Sequence, residues 1–160
     1  NKIKSSVGII NHDSKLVFDD ISLDVEADVK GVFDQITGLM DPSAEMYRLY
    51  NAAFGRFPDT NGLKYWIRNY VNGLNDKETI AKSFINSDEF LTLYGENNSN
   101  KEFTENLYTN ILDRTYDKEG LEYWVGNLNN GIEERYQVLL GFSESEENLG
   151  IFSEQTGVIA

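Results

Sequence analysis

The chain has 160 residues, of which 27 are acidic and 14 basic, for a net charge of −13. Such a surface repels nucleic-acid phosphates and anionic headgroups, so neither nucleic-acid binding nor membrane insertion is expected. There is no cysteine, which removes disulfides, thiolate metal sites and a cysteine nucleophile, and no apolar run approaches the length of a membrane span.

Hydrophobic residues make up 40% and aromatic residues 12%, a composition that folds and is large enough for one domain or two small ones. Residues 1–20 lack the uninterrupted apolar core of a signal peptide, and a chain opening at Asn1 in a polar run reads as part of a longer protein. Residues 1–25 form a β-prone lead-in: Val7–Ile10, Lys15–Phe18 and Ile21–Val25 are short extended runs separated by turn-formers at 11–14 and 19–20. They suggest a hairpin or meander, the end of an upstream β domain. From 26 onward a helical domain is expected to run to residue 160.

That domain opens with a lead helix over 26–38, on the spacing of Val25, Val29, Val32, Phe33 and Ile36, closed by Gly38. A first unit of four helices follows over 43–95. Its first helix carries Met46, Leu49, Tyr50, Ala53 and Phe54 on one face. Asp59 caps the second, whose apolar stripe is Leu63, Trp66, Ile67 and Tyr70 and which stops at Gly73. A third helix from about Asp76 presents Ile80, Phe84 and Ile85. Ser87 caps a short fourth with Phe90, Leu91 and Tyr94. After the polar linker 95–100, a second unit over 100–153 repeats the plan, with Ser145 capping its last helix, and an apolar tail closes the chain. That tail is suited to packing on the helices or to serving as an export signal.

The second unit repeats residues as well as the plan. When 46–94 is laid on 104–152 without a gap, 15 of 49 pairs are identical, all 58 positions apart. They include Arg56/Arg114, Asp59/Asp117, Gly62/Gly120, Trp66/Trp124, Gly73/Gly131, Ser87/Ser145 and Glu89/Glu147. This predicts a mainly α fold of two tandem four-helix repeat units packed into one compact helical domain, since two repeats are too few for an open solenoid.

The run Arg56 to Trp66, with Gly73 and Phe84-x-x-Ser87-x-Glu89 behind it, resembles a bacterial family known as domain of unknown function 4214. The resemblance covers about 43–152 and both units carry the signature. The second departs from it at Asp113, at Thr115 and Tyr116, and at Asn148. What the resemblance implies is a helical module attached to a secreted or cell-surface protein. The implied settings are proteins with hemolysin-type calcium-binding repeats and type I secretion, and also surface-layer proteins, adhesins, proteases and glycosyltransferases. The family has no established catalytic residues, so none is carried over.

Individual residues narrow the chemistry further. Asp59-Thr-Asn61-Gly62 has the look of an EF-hand fragment, yet with Gly62 at the sixth loop position Phe57 stands first and Arg68 twelfth. In the second unit those places hold Thr115 and Gly126. Neither pair supplies the carboxylates that those positions need, so an EF-hand is excluded, and only an irregular calcium site remains as a cofactor reading. Asp59 and Asp117 read as helix caps, with Gly62 and Gly120 permitting close packing. Arg56 and Arg114 each need a planar acceptor in their own unit, Asp59 or Glu89 and Asp117 or Glu147. His12, the single histidine, falls in a turn-like segment and is expected to be solvated.

The remaining pattern lies on the second helix of each unit. Tyr65, Asn69 and Asn72 recur identically as Tyr123, Asn127 and Asn130, on a stripe separate from the apolar one. An aromatic ring beside side-chain amides suits stacking on and hydrogen bonding to a sugar. The bland reading makes Asn72 and Asn130, each followed by a glycine, helix terminators and leaves the tyrosines between the units. With no catalytic constellation and no metal ligand set, the expected role is a non-catalytic interaction or attachment module. Its expected partners are a surface polysaccharide or a neighbouring surface protein; a ligand-free structural or secretion-assisting spacer is the alternative.

Overall fold

Helix-capping chemistry places most of the elements. A computed structural model describes residues 15–18, 21–24, 35, 36 and 38–159 of the chain. The first elements are two short strands, β1 (Lys15–Phe18) and β2 (Ile21–Asp24), paired antiparallel with Lys15 opposite Asp24 and Phe18 opposite Ile21. The extended run at 7–10 lies outside the described residues, as does most of the expected lead helix 26–38; its described end, Gln35, Ile36 and Gly38, is a turn and irregular chain.

Eight helices follow: α1 (Pro42–Phe54), α2 (Thr60–Val71), α3 (Lys77–Ile85), α4 (Asp88–Tyr94), α5 (Asn100–Leu112), α6 (Lys118–Asn129), α7 (Arg135–Ser143) and α8 (Glu146–Thr156). The protein is therefore mainly α. Helices α5 to α8 each begin 58 positions after α1 to α4. The starts coincide because the caps do. The Asp59 and Asp117 carboxylates accept the Gly62 and Gly120 amides, each at 2.7 Å. Ser87 and Ser145 accept the Phe90 and Asn148 amides, each at 3.2 Å, satisfying donors that a helix leaves without a partner. At Ser99, which precedes α5, the Glu102 carboxylate also reaches back to the Ser99 amide and completes a capping box.

Helix ends correspond as well, through left-handed backbone that disfavours an L side chain. Gly73 and Gly131, at φ 67° and 65°, each follow the C-cap of the second helix of their half, Asn72 and Asn130. Their amides return to Tyr70 O at 3.0 Å and Leu128 O at 3.3 Å. Both are exposed and a Cβ at either would meet nothing within 4 Å, so the glycines are set by the turn and not by packing. After the first helix the halves differ. The residue that follows α1 is Gly55, at φ 64°, and the one that follows α5 is Asp113, at φ 52°. An acidic residue is one of the few side chains that tolerate this region, so the second half turns at the same place without the glycine.

Helix α1 is the hub of the packing. Ala44, Met46, Tyr47, Leu49, Ala52 and Ala53 are buried, so more than one face is covered. It packs on α2, α3 and α4 of its own half and on α5 and α7 of the other; α3 also lies along α7. Trp66 meets the Phe84 ring edge-on with centroids 5.1 Å apart, and Trp124 lies tilted against Phe142 at 5.5 Å. Phe84 also contacts Tyr50 at 5.5 Å, as Phe142 contacts Tyr108 at 4.9 Å. Each half thus carries a Tyr, Phe and Trp cluster at its centre.

Candidate functional site

The signature residues lie at the junction of the first, second and fourth helices of each half. Arg56 forks onto Glu89 through Nε and Nη2, at 2.7 and 3.1 Å, and Arg114 forks onto Glu147 at 2.7 and 2.9 Å. The same guanidinium Nη1 donates to the next carbonyl, Phe57 O at 3.1 Å or Thr115 O at 3.0 Å. The ring of Tyr50 or Tyr108 lies beneath it, at 5.1 or 4.9 Å. The Glu89 and Glu147 hydrogen bonds hold both guanidiniums further above their ordinary range. Burial pushes the Tyr50 and Tyr108 hydroxyls up. With donors and acceptors spent on each other and 37 to 42% of each side chain exposed, these forks contribute at most about 1 kcal/mol apiece. They brace a corner between helices.

Nearby, Gly120 has no room for a side chain: a Cβ there would meet the Tyr108 hydroxyl and, at 2.9 Å, Asp117 Oδ1. Gly62 is crowded in the same way by Asp59 Oδ2, at 2.6 Å. Gly120 thereby lets α6 start directly against α5, whereas the crowding at Gly62 comes from its own helix cap. Gly73 and Gly131, at the far ends of the same helices, line neither of the hollows described below.

The six residues of the tyrosine and asparagine stripes are not equivalent. Tyr65 and Tyr123 stand out at 57% and 58% exposure. Each is fixed edge-on to the following tryptophan, with centroids 4.9 and 5.0 Å apart. Asn69 is buried, and its carbonyl accepts the Leu74 and Asn75 amides. Asn127 Nδ2 donates to Glu133 at 2.8 Å. Asn72 and Asn130 are the C-caps of α2 and α6, and Asn130 Nδ2 turns back to Gly126 O at 2.8 Å. Each stripe therefore exposes its tyrosine, packed edge-on against the tryptophan, and its terminal asparagine, Asn72 or Asn130. The asparagines serve the turn behind it.

One hollow adjoins such a tyrosine. Asn61, Lys64, Tyr65 and Arg68 lie along one exposed stripe of α2 and border a shallow, open depression. A smaller hollow of about 160 Å³ lies over the second fork, walled by Tyr108, Arg114, Trp124, Phe142 and Glu147. Among the described residues no group of three His, Cys, Asp or Glu side chains is placed to hold a metal ion, and no helix is long and apolar enough to cross a membrane. His12 lies outside the described residues.

Sequence reasoning passed over Lys64 and Arg68, because only identical pairs between the halves drew notice. The signal was present as a difference: positions 64 and 68 carry cations where the second half has Glu122 and Gly126. It also passed over the pairing of Arg48 with Glu144, since neither residue has a like counterpart 58 positions away.

Residues 81–152, from within α3 to within α8, match the family model described as Domain of unknown function (DUF4214). The matched stretch contains the signature at 114–124 and leaves that at 56–66 outside. No curated protein and no solved structure matches the chain.

Proposed function

Taking as premise that residues 81–152 belong to the domain of unknown function 4214 family, we propose that this chain is a non-catalytic attachment module built from two copies of one four-helix unit. It holds a glycan on the exposed tyrosine of each copy. One observation carries the reading: Tyr65 and Tyr123 stand exposed at corresponding places, each packed edge-on against a tryptophan. A large ring left open to water gains nothing for folding, whereas a rigid aromatic platform stacks on the apolar face of a sugar at little entropic cost. The copy relation is supported by eight helices falling into two sets 58 positions apart and by the two matching arginine forks.

Attachment fits a secreted or cell-surface parent, the setting that the resemblance implies. Calorimetric titration with surface polysaccharides tests the reading, comparing the native chain with a Tyr65→Ala/Tyr123→Ala variant. Binding lost in a variant of unchanged circular dichroism supports it. Binding unaltered in that variant removes the platforms from consideration, and no binding to any polysaccharide favours the ligand-free spacer. A calcium-dependent domain would instead show a melting temperature that rises with calcium over a chelator control.

A further inference from the structure

Among the described residues from Gln35 onward, two cations stand apart from the rest. Arg48, Arg56 and Arg114 are forked onto Glu144, Glu89 and Glu147; Lys77, Lys101 and Lys118 pair with Glu45, Glu105 and Glu122. Lys82 lies on the Tyr136 ring, and Arg135 donates to Asn98 and Asn100. Only the side chains of Lys64 and Arg68, both exposed, remain without a hydrogen bond, ion pair or ring contact. They are one helical turn apart, where like charges repel, and they flank Tyr65 in the α2 hollow. A chain of net charge −13 has carboxylates to spare, yet among the described residues none is set against this pair.

The corresponding stripe of α6 keeps the tyrosine and inverts its surroundings. Around Tyr123 stand Glu119, Glu122 and Gly126, where Asn61, Lys64 and Arg68 surround Tyr65. The aromatic platform is common to both halves, and the charge beside it is what distinguishes them.

We infer that the α2 hollow is a subsite for a carboxylated sugar of the uronic-acid class, its ring stacked on Tyr65 and its carboxylate held by Arg68 and Lys64. The inference rests on the glycan reading above and assigns the ligand's chemistry at one of the two platforms. Arg68 offers a planar fork that matches a carboxylate, Lys64 a second point charge, and Asn61 an amide for a ring hydroxyl. The large negative net charge does not oppose this at physiological salt, where charges beyond about 8 Å are screened and the local pair dominates. The Tyr123 platform, bordered by glutamates, takes uncharged sugar and repels the acid.

The probes are a homogalacturonate oligosaccharide, its fully methyl-esterified form and poly-glutamate of similar charge, titrated against the full chain. The variant is Lys64→Glu/Arg68→Gly, which installs the residues that the second half already tolerates. The acid form is expected to bind the native chain at least about tenfold more tightly than the ester, with an affinity that weakens as salt is raised. The charge-swapped variant should lose that tenfold preference and keep its affinity for the ester. Equal affinity for acid and ester, or a preference that survives the swap, overturns the inference while leaving the tyrosine platforms standing. Poly-glutamate binding as tightly as the sugar acid overturns the saccharide class. Failure of both sugars to bind overturns the inference together with the function on which it rests.

Discussion

The guanidinium of Arg48, 1% exposed, forks onto the carboxylate of Glu144 across 96 residues of chain, at 3.1 and 2.6 Å, and so ties α1 to the end of α7. Its third nitrogen donates to Leu39 O at 2.6 Å, and the Phe152 ring lies 5.1 Å from its centre. The corresponding residues in the opposite halves are Asn106 and Asn86, so the contact exists once and makes the joint between the halves directional. Glu144→Ala strands a buried cation and should lower unfolding free energy by about 2–4 kcal/mol. Arg48→Met/Glu144→Leu removes both charges and should recover much of that loss. Urea titration of the three proteins checks both expectations.

Two glycines of α6 should respond oppositely to alanine. At Gly120 the added methyl collides with the Tyr108 hydroxyl and Asp117, and forcing it in should cost about 1–3 kcal/mol. At Gly126, mid-helix, a Cβ meets nothing within 4 Å, and alanine should stabilise by about 0.5–1 kcal/mol through helix propensity. Thermal melts of the two single variants give the signs directly.

Acid should weaken the fold through its caps. Hydrogen bonds from Thr79 to Asp76, from the Gly120 amide to Asp117 and from the Ser99 amide to Glu102 hold those carboxyls below their ordinary range. The ionised form is therefore favoured on folding. Its contribution is complete above the ordinary carboxylate pKa and is lost as pH falls through that value to the depressed one. A melting temperature level near neutrality and falling below about pH 4 is expected. Asp76→Ala/Asp117→Ala should melt lower than the native chain near neutrality, with the gap closing in acid.

Alkali should act through buried tyrosines, with the opposite proton balance. Burial pushes the Tyr94 hydroxyl up to about 12 and raises that of Tyr47 further. The folded state thus holds protons that the unfolded chain releases near pH 10. Stability should be unaffected below that pH and should fall as pH climbs from about 10 toward 12. Tyrosinate absorbance from these two residues should rise together with unfolding. In Tyr94→Phe the Tyr94 share of that signal disappears and the Tyr47 share remains.

Much of this architecture could be read from residue order alone. Asp59, Ser87, Asp117 and Ser145 mark helix starts because capping is a contact of three residues' reach, and Gly73 and Gly131 mark ends because few other residues accept positive φ. Spacing at 3.6 residues shows which faces are apolar, and the 58-residue echo aligns the two signatures while the positions between the identical pairs differ. The Asn69 and Asn127 pair shows where such reading stops. Their identity between halves was visible, but only the fold buries Asn69 and turns Asn127 toward Glu133.

Local order along the chain therefore settles which of the described segments become helices and where they begin and end, since each depends on neighbours within a few positions. The three-dimensional packing alone decides that Arg48 finds Glu144, that the tyrosines face water while Asn69 is buried, and that among the described residues no carboxylate pairs with Lys64 or Arg68. Those outcomes depend on which surfaces meet after the halves dock, and contacts between residues tens of positions apart leave no periodic mark on the order of the amino acids.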